Sequence, residues 1–354
     1  MHFPLSDWID SHAECRHNLG LSGMGGVVSM PRPSPSRVAA NSSDEWSDAL
    51  RGALAEYLRV DAKRVFLSHG AAESNSWVLY FLAQRGRSGG RTCRIRWPEY
   101  PPLVEMARHA GYRLTDAVGP VPLAVLSLPR NPEGVGWTSA ELDSWAEGAR
   151  SLLVDETFRE FSGRPSRAEA GTPGVWTTGS FSKFWGADSA RVGYAVAPPE
   201  AADGFARFHA VAADDIPPYS AALALQLLAR RGAVSRLVRS TFERNRAALR
   251  QALPSVPSLD GPVYFDRGPG RDGDTLAARC LEASVLVCPG SFFGAPEGVR
   301  ICLTRPSFRR DLAAYLTVRG GAYRRRARPT TSASATRTVP PLRGGNARAL
   351  AAPW

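Results

Sequence analysis

The chain has 354 residues, of which 44% are hydrophobic and 22% are charged, as in a globular protein with one large domain and a smaller companion. No apolar run approaches the roughly 20 residues that cross a bilayer, and the first residues lack the basic and apolar segments of a secretory signal. The formal net charge of +11 suggests a nucleic-acid partner, but residues 319–354 hold eight arginines and no acid, which leaves +3 for the rest.

The five cysteines are scattered along the chain and show no C-x-x-C spacing. This pattern predicts reduced thiols in a cytoplasmic protein, with neither a disulfide framework nor a metal site. Residues 319–354 have too little apolar content to fold alone, so we predict a disordered, Arg-rich tail. A solvated extension is favoured over a polyanion-binding arm, and no nucleic-acid partner is expected.

Strand and helix signals follow one another along the chain after an N-terminal arm at residues 1–45, which contains the glycine-rich segment Ser22–Gly26. The first helix is predicted over Asp44–Leu58, with Ser43 as its N-cap. Further helices are predicted at Ala71–Gln84, Pro101–Ala110, Ser139–Ala149, Ala221–Ala229 and Ala233–Leu253. Strands are predicted at Val65–Leu67, Cys93–Arg96, Leu123–Leu128, Leu152–Val154, Val175–Thr178, Val263–Phe265, Val285–Val287 and Val299–Leu303.

The alternation of strands and helices up to residue 218 predicts an α/β fold, with a large, mostly parallel sheet sandwiched between helices. After Pro217-Pro218 two helices are followed by short strands, which predicts a smaller α+β domain at residues 219–318. The predicted organisation is therefore an arm at 1–45, a large domain at 46–218, a small domain at 219–318 and a tail at 319–354.

Lys183 is one of only two lysines in the chain, and the other 42 of its 44 Lys and Arg residues are arginines. An amine forms a Schiff base with an aldehyde, whereas a guanidinium does not. Lys183 ends the small-residue segment Ser180-Phe-Ser182-Lys183, and Arg191 follows eight residues later. This setting predicts an aldehyde cofactor on Lys183 rather than a surface lysine.

Other polar residues lie just after predicted strands, where functional groups gather in open α/β sheets. The strand at Val65–Leu67 leads to a helix start, whose free amide groups favour a phosphate. Together these groups match the needs of pyridoxal 5′-phosphate. We assign Lys183 to the aldehyde, Asp155 to the pyridine nitrogen, Asn131 to the ring oxygen and Tyr100 to the ring face. The phosphate is assigned to the backbone amides of Ala71 and Ala72, the hydroxyls of Ser180 and Ser182, and Arg191.

In chain order these residues resemble motifs of the pyridoxal-phosphate-dependent aminotransferases of class I and II, which have fold type I and are aspartate aminotransferase-like. Asn131-Pro-Glu-Gly134 resembles their N-P-T-G, and Val154-Asp155-Glu156 resembles their strand-terminal D-E. The segment from Ser180 to Gly193 resembles their S-x-S-K-x7-R-x-G. Residues 287–301 resemble the C-terminal segment whose arginine, here Arg300, binds the substrate α-carboxylate.

The resemblance extends from Ser43 to Val318 and implies a homodimer that transfers the α-amino group of an L-amino acid to a 2-oxo acid. It implies that Lys183 holds the cofactor as a Schiff base and then acts as general acid and base. It also implies that Arg300 and Asn131 orient the substrate carboxylate, that Asp155 and Tyr100 take part in catalysis, and that the arm lines the substrate pocket.

The chain departs from the family pattern at three places. Phe158 stands where many members have a tyrosine that donates to the ring oxygen. Ala71 and Ala72 replace the Ser or Thr of the phosphate loop, and residues 38–43 lack the tyrosine that many members send to the neighbouring subunit. These departures predict that the cofactor is held less tightly.

Three other functions are open to the sequence. A decarboxylase, lyase or cyclase would use the same fold, and Asp188, Asp214 and Asp215 are candidates for binding a cationic amino acid. A regulator would bind nucleic acid through the tail. A serine hydrolase would use Ser180-x-x-Lys183, but its K-T-G motif is missing, since Arg64 follows Lys63. The sequence does not identify the amino acid or the 2-oxo acid.

Overall fold

The computed structural model describes residues 4–85, 91–268 and 272–320. Its helices are α1 (Pro4–Ser11), α2 (Pro35–Ala39), α3 (Ser43–Leu58), α4 (Ala71–Arg85), α5 (Pro101–His109), α6 (Ser139–Ala146), α7 (Arg159–Ser162), α8 (Ala202–Ala212), α9 (Pro218–Ala229), α10 (Arg231–Ala252), α11 (Gly273–Glu282) and α12 (Phe308–Arg319). Its strands are β1 (His17–Asn18), β2 (Val65–Ser68), β3 (Thr92–Ile95), β4 (Arg113–Thr115), β5 (Val121–Ser127), β6 (Ala149–Asp155), β7 (Val175–Ser180), β8 (Gly193–Val196), β9 (Val263–Asp266), β10 (Val285–Leu286), β11 (Cys288–Pro289) and β12 (Val299–Cys302).

A seven-stranded sheet in the order β2-β8-β7-β6-β5-β3-β4 forms the centre of the fold. Pairs among β7, β6, β5, β3 and β4 are parallel, whereas β8 runs antiparallel to both of its neighbours. The predicted α/β fold with a mostly parallel sheet is thus confirmed. Strands β4 and β8 are absent from the sequence prediction, because three or four residues that include Gly193 or Arg113 carry little strand signal.

Helices cover both faces of this sheet, because the central strands are apolar on both sides. Along β5, Leu123 and Val125 contribute to one buried cluster, and Ala124 and Leu126 contribute to another. Each cluster therefore receives alternate residues of the strand, as the two-residue period of a strand requires. The first cluster includes residues of α4, α5 and α8, and the second includes Leu142 of α6.

Helix α3 begins one residue earlier than predicted. Its N-cap is Ser42, whose hydroxyl accepts from the amide of Glu45, while the Glu45 carboxylate accepts from the amide of Ser42. The predicted N-cap, Ser43, is the first helical residue. The reciprocal pair satisfies two amide groups at the helix start, so it is favoured over a single cap at Ser43.

The later part of the chain contains the antiparallel sheet β11-β12-β9, packed with α10, α11 and α12. The arm joins it, because β1 pairs in parallel with β10. The predicted tail boundary falls inside α12, whose last residue, Arg319, donates to Asp266 with an Nε–Oδ2 distance of 2.5 Å. The rest of the predicted tail, from residue 321 onwards, lies outside the described residues. Within the described ranges no helix has the length and apolar character of a membrane span.

Candidate active site

The carboxyl ends of β5, β6 and β7 meet at one edge of the large sheet. In the register of these parallel strands Ser127 lies opposite Asp155, and Asp155 lies opposite Thr178. Ser180 ends β7 and pairs with Gly193 of the neighbouring β8. The strand ends therefore bring residues of four separate segments together, as the sequence predicted for an open sheet.

Asp155 is buried, and both of its carboxylate oxygens are held. Its Oδ1 accepts from the amide of Thr157 at 2.9 Å, and its Oδ2 accepts from Nδ2 of Asn75 at 2.9 Å. The Asn75 side chain is fixed in turn, because its Oδ1 accepts from the Thr178 hydroxyl at 2.6 Å. Asn75 was missed by the sequence analysis, because it lies in the polar segment Glu73-Ser-Asn-Ser76 of α4 and its residue type alone does not mark it as buried.

Lys183 follows β7 in a turn that the N-terminal arm covers. Its carbonyl accepts from the amide of Met24 at 2.9 Å, and Met24 is fully buried. Burial lowers the pKa of the Lys183 amine, and the nearby Arg300 and Arg191 lower it further, while Asp188 opposes them. More of this amine is therefore neutral at a given pH than in an exposed lysine.

The start of α4 forms the end of the site where Ala71 and Ala72 present their amides. The first amides of a helix have no acceptor four residues earlier, so they are free to bind an anion. Gly70 precedes them with φ of +133°, and a Cβ there would lie 3.0 Å from Nη2 of Arg191. A Cβ on Gly193 would lie 2.4 Å from the Gly70 carbonyl carbon, so both glycines permit the close approach of β8 and Arg191 to this helix start.

Ser180 and Ser182 lie at the same end and are both buried. The Ser180 hydroxyl accepts from the Ser182 amide at 3.2 Å. Arg191 has a left-handed backbone with φ of 51°, and its guanidinium is 3.5 Å from Asp188. Its side chain is 56% exposed, so it reaches the site from the solvent side.

Arg300 is 2% exposed and comes from the middle of β12. Its Nη1 donates to Oδ1 of Asn131 at 3.2 Å, and its Nη2 donates to the Gly20 carbonyl at 3.0 Å. Nη2 also lies 3.3 Å from the Cys288 sulfur, and the guanidinium stacks 5.0 Å over the Phe293 ring. Nε of Arg300 is buried and has no hydrogen-bond partner within the described part of the chain.

Tyr100 and Asn131 occupy loops that flank this arginine. Tyr100 is half-buried, and burial raises the pKa of its hydroxyl to about 12, to which the Asp155 charge adds. The neighbouring Glu99 is 2% exposed, accepts from the Tyr100 amide at 2.6 Å and binds Ser127. Glu99 and Ser127 were also missed, although a charged residue between prolines in Trp97-Pro-Glu-Tyr-Pro was visible in the sequence.

A cavity of about 200 Å³ lies at this edge of the sheet, and Asn75 and Glu99 are not part of its lining. Every residue that the sequence analysis assigned to catalysis, cofactor or substrate lines it: Lys183, Asp155, Tyr100, Asn131, Ala71, Ala72, Ser180, Ser182, Arg191 and Arg300. Asp188 also lines it, whereas the described lining excludes Asp214 and Asp215. A wider surface cleft of about 720 Å³ around Tyr57 and Arg231 holds none of the predicted site residues.

Helix α1 supplies part of the cavity wall through Leu5, Ser6 and Ile9. It is anchored by Trp8, whose indole Nε1 donates to the Val287 carbonyl at 2.8 Å. The sequence analysis assigned these residues to the arm and did not predict this helix, although Pro4 at its first position is a helix-start signal. Ser22 of the predicted pocket loop lines the cavity as well.

The cavity residues fit pyridoxal 5′-phosphate. A carboxylate, a lysine with a lowered pKa and a helix start with an adjacent arginine are the groups that a pyridine ring, an aldehyde and a phosphate require. Two buried atoms in the wall, Arg300 Nε and Thr157 Oγ1, have no hydrogen-bond partner among the described residues, so they have capacity for a ligand. In the described ranges no group of three or more His, Cys, Asp or Glu could hold a metal ion.

Comparison with known sequences gives consistent matches. The family description "aminotransferase class I and II" matches residues 39–314. An aromatic amino acid aminotransferase of Rhodococcus jostii is 31% identical over 328 residues, which span 82% of this chain and 87% of that protein. A histidinol-phosphate aminotransferase of Haloarcula marismortui is 30% identical over 203 residues, so the chain spans about half of its length, 54%.

Solved structures show the same fold. The aspartate aminotransferase of Thermus thermophilus with maleate superposes with a TM-score of 0.70 at 20% identity and covers 90% of this chain and 97% of its own. An aminotransferase from Mycobacterium tuberculosis gives 0.72 at 19% identity, with 91% and 96% covered. At these identities the likeness establishes the fold and no more.

Proposed function

The chain belongs to the aminotransferase class I and II family, whose cofactor is pyridoxal 5′-phosphate, and we propose that it transfers the α-amino group of an L-amino acid to a 2-oxo acid. The donor becomes a 2-oxo acid and the acceptor becomes an amino acid, so no outside oxidant or reductant is needed. The convergence of Lys183, Asp155 and Arg300 on one cavity carries this proposal.

The cavity residues would hold the cofactor from three directions. Asp155, fixed by Asn75, would pair with the pyridine nitrogen and keep it protonated. Tyr100 would contact the ring face, and the side-chain amide of Asn131 would donate to the ring oxygen. The amides of Ala71 and Ala72, the hydroxyls of Ser180 and Ser182, and the Arg191 guanidinium would bind the phosphate.

Bound pyridoxal phosphate supplies an electron sink that makes the proton on the substrate Cα acidic. Nζ of Lys183 would take up this proton and hold it for return as general base and then acid, and the lowered pKa of the amine keeps more of it in the neutral form that accepts a proton. Arg300 binds the substrate carboxylate through its fork, and its buried, unpartnered Nε is available for this contact. Asn131 orients the fork, because it accepts from Nη1 of Arg300.

The alternative reactions on this fold are not favoured. The relatives and the solved structures named above are all called aminotransferases, and no decarboxylase, lyase or cyclase is among them. Phe158 and the alanines of the phosphate loop are accommodated within transamination as weaker contacts to the cofactor.

The amino donor is proposed to include amino acids with cationic side chains. Asp188 supports this, because it lines the cavity and lies near both Lys183 and Arg191. Asp188→Asn would reduce kcat/KM for arginine and lysine by about tenfold while leaving aspartate and phenylalanine unchanged, if the carboxylate binds the side chain. Equal effects on all four donors would show that Asp188 does not determine which amino donor is accepted.

A homodimer and a cytoplasmic location complete the proposal. The dimer rests on the family resemblance, and light scattering on the purified chain would give twice 38.2 kDa if it holds. The five free thiols, four of them buried, support a reducing compartment.

The experiment that tests the function is an absorption spectrum of the purified protein with added pyridoxal phosphate, before and after each of twenty amino acids. Conversion of the cofactor band to that of pyridoxamine phosphate, together with one 2-oxo acid per donor, supports transamination. Release of CO₂ or ammonia in place of transfer would overturn it in favour of a decarboxylase or lyase. The absence of any cofactor band would refute cofactor binding itself.

A further inference from the structure

Glu99 is a buried carboxyl directly behind the cavity wall, and none of the roles above uses it. Its Oε1 accepts from the Tyr100 amide at 2.6 Å and from the Ser127 hydroxyl at 2.5 Å, and its Oε2 accepts from the Ser127 amide at 2.9 Å. Three donors on one carboxyl, which is 2% exposed, form a complete set of partners for a buried acid.

The hydrogen bonds of this group have a fixed direction. The Ser127 hydroxyl accepts from the Asn131 amide at 2.9 Å, so its own proton is donated to Glu99. A backbone amide cannot reverse its role, and therefore Glu99 must act as the acceptor at the end of the chain. A glutamine at position 99 would place its NH₂ group opposite one of the three groups that donate to Glu99, so two donors would face each other.

The bonds reach both loops that hold the site. Glu99 fixes the Tyr100 backbone directly, and it fixes Asn131 through Ser127. Asn131 in turn contacts Arg300 through its side chain, with Oδ1 3.2 Å from Nη1. A single carboxyl thus connects the residue proposed for the ring face with the pair proposed for the substrate carboxylate.

Glu156 is a natural comparison, because it is as buried as Glu99 and adjoins Asp155 in sequence. Its carboxylate accepts from the Ser166 hydroxyl and the Arg167 amide, both at 2.7 Å, and pairs with Arg159. None of these partners lines the cavity. Burial of a glutamate alone therefore does not connect it to the site, whereas the partners of Glu99 do.

We propose that Glu99 is a positioning residue that holds Tyr100 and Asn131 in the geometry that the cofactor and the substrate carboxylate require. The proposal rests on the proposed function for the roles of those two residues. It makes the network Glu99–Ser127–Asn131 a requirement for the site that is distinct from the residues touching the ligand.

Two charged groups, Asp155 and Arg130, act on the Glu99 carboxyl. Burial raises the pKa of its carboxyl to about 7, the three donors lower it, and the Asp155 charge raises it slightly. From the loop after β5, the pKa of Arg130 is lowered to about 10, mainly by burial, although the Glu99 charge opposes that change. The Glu99 carboxyl therefore changes its protonation state close to neutral pH. When it is protonated, it accepts less well from Tyr100 and Ser127.

Hydrogen–deuterium exchange on the full-length protein without cofactor tests the network directly. Prolines at 98, 101 and 102 leave few amides in the peptide that reports on Tyr100. In Glu99→Gln one carboxylate oxygen becomes an NH₂ donor and the charge is lost, so the amides of Tyr100, Ser127 and Asn131 are expected to exchange faster, by about tenfold at the amide that faces the new donor. In the control Glu156→Gln these three amides are expected to keep their wild-type rates.

Titration with pyridoxal phosphate and steady-state kinetics give the second readout. Glu99→Gln is expected to weaken cofactor binding about tenfold and to raise KM for the amino donor, and it is expected to remove the inflection of kcat/KM near pH 7. Ser127→Ala keeps the carboxyl but breaks the path to Asn131, so it is expected to raise KM with little effect on the Tyr100 amide.

Unchanged exchange at all three amides in Glu99→Gln would overturn the proposal, whatever the kinetics show. A lower melting temperature with wild-type kcat, KM and pH profile would also overturn it, because a structural role alone produces that result. If the wild-type protein binds no pyridoxal phosphate, the proposed function fails, and exchange still decides whether Glu99 holds the two loops. If Glu99→Gln does not fold, Ser127→Ala decides the Asn131 part of the proposal, and wild-type exchange at Asn131 with a wild-type KM would overturn it.

Discussion

The two ends of the cavity hold their arginines in opposite ways. At one end Arg300 is 2% exposed, donates to Asn131 and Gly20, and stacks on Phe293. At the other end the side chain of Arg191 is 56% exposed, and its nearest acidic group is Asp188 at 3.5 Å. The first arginine is set in place by the protein before a ligand arrives, whereas the second is completed by the ligand.

This difference indicates where the protein uses preorganisation. The carboxylate of an amino acid is present in every turnover, so a fixed fork lowers the cost of binding each time. The groups that we assign to the cofactor phosphate are backbone amides and an exposed arginine, which leaves this end less preorganised. The exposed end therefore accords with the looser cofactor retention that the sequence predicts from Ala71, Ala72 and the missing tyrosine.

Lys183 lies between the two ends, and its replacement is expected to have the largest effect. Lys183→Ala would lower kcat by at least about 10⁴-fold, because both the covalent attachment and the proton carrier are lost. Borohydride treatment of the wild-type protein with pyridoxal phosphate, followed by mass spectrometry, would locate the cofactor on the Lys183 peptide. The control is Lys63→Ala, since Lys63 is the only other lysine; wild-type turnover in Lys183→Ala would contradict the mechanism.

Conservative replacement of each arginine compares the two ends directly. Arg300→Lys would raise KM for all amino donors about a hundredfold, since a buried fork is replaced by a point charge that leaves Asn131 and Gly20 without donors. Arg191→Lys would weaken pyridoxal phosphate binding by only about tenfold, because a lysine still provides a charge to a phosphate. If Arg191→Lys weakened cofactor binding by a larger factor than Arg300→Lys raised KM, Arg300 would not be the more preorganised of the two arginines. Arg108→Lys on the outer face of α5 is the control.

The pH dependence of stability tests the burial of Glu99, which supports the Arg300 end of the cavity through Ser127 and Asn131. The pKa of Glu99 rises from an unfolded value of 4.5 to about 7, chiefly through burial. Between these values the folded protein holds a proton that the unfolded chain has released, so this contribution to stability declines as pH rises from about 4.5 to 7.

The total contribution is of the order of 3 kcal/mol, and it is absent in Glu99→Gln. Urea unfolding of the wild type and of Glu99→Gln at pH 5, 6, 7 and 8 would measure this contribution. It would appear as a difference between the two proteins in how the free energy of unfolding changes with pH. A difference that grows with rising pH in favour of the wild type would contradict the assigned burial of this carboxyl.

The smallest expected effect concerns Asn75, whose side chain donates to the Asp155 carboxylate. Asn75→Ala would leave Asp155 Oδ2 and the Thr178 hydroxyl without a partner, which costs about 1–3 kcal/mol of stability. We expect kcat to fall by about tenfold, because Asp155 keeps only the Thr157 amide. The neighbouring Ser76→Ala, whose hydroxyl binds the Ala72 carbonyl, is the control. Equal kcat in the two variants would show that Asn75 does not support Asp155.

The cavity residues that we assign to the ligand could be named from the sequence, because each follows a strand or carries a motif. Asp155 and Lys183 are examples, and both line the cavity. The supporting residues could not be predicted in the same way. Asn75 and Glu99 act through partners distant in sequence, namely Asp155, 80 residues away, and Ser127, 28 residues away. Such contacts depend on register and packing, which local patterns do not encode.

The fold shows the same division. The alternation of elements predicted the α/β class and the long strands, but β8 was missed, because it is short and begins with Gly193. Its antiparallel place between β2 and β7 arises from tertiary pairing. The predicted N-cap of α3 was wrong by one residue, because two serines are adjacent at the helix start and only the capping box with Glu45 distinguishes them.

Helix α1 gives the cavity three residues that belong to no strand of the large sheet: Leu5, Ser6 and Ile9. For protein engineering this makes helix α1 a place to alter the range of accepted substrates by mutagenesis without changing the residues to which the chemistry is assigned. It also means that any sequence fused directly ahead of α1 would adjoin the cavity, so kinetic work calls for a tag placed elsewhere or for a tag that is cleaved off.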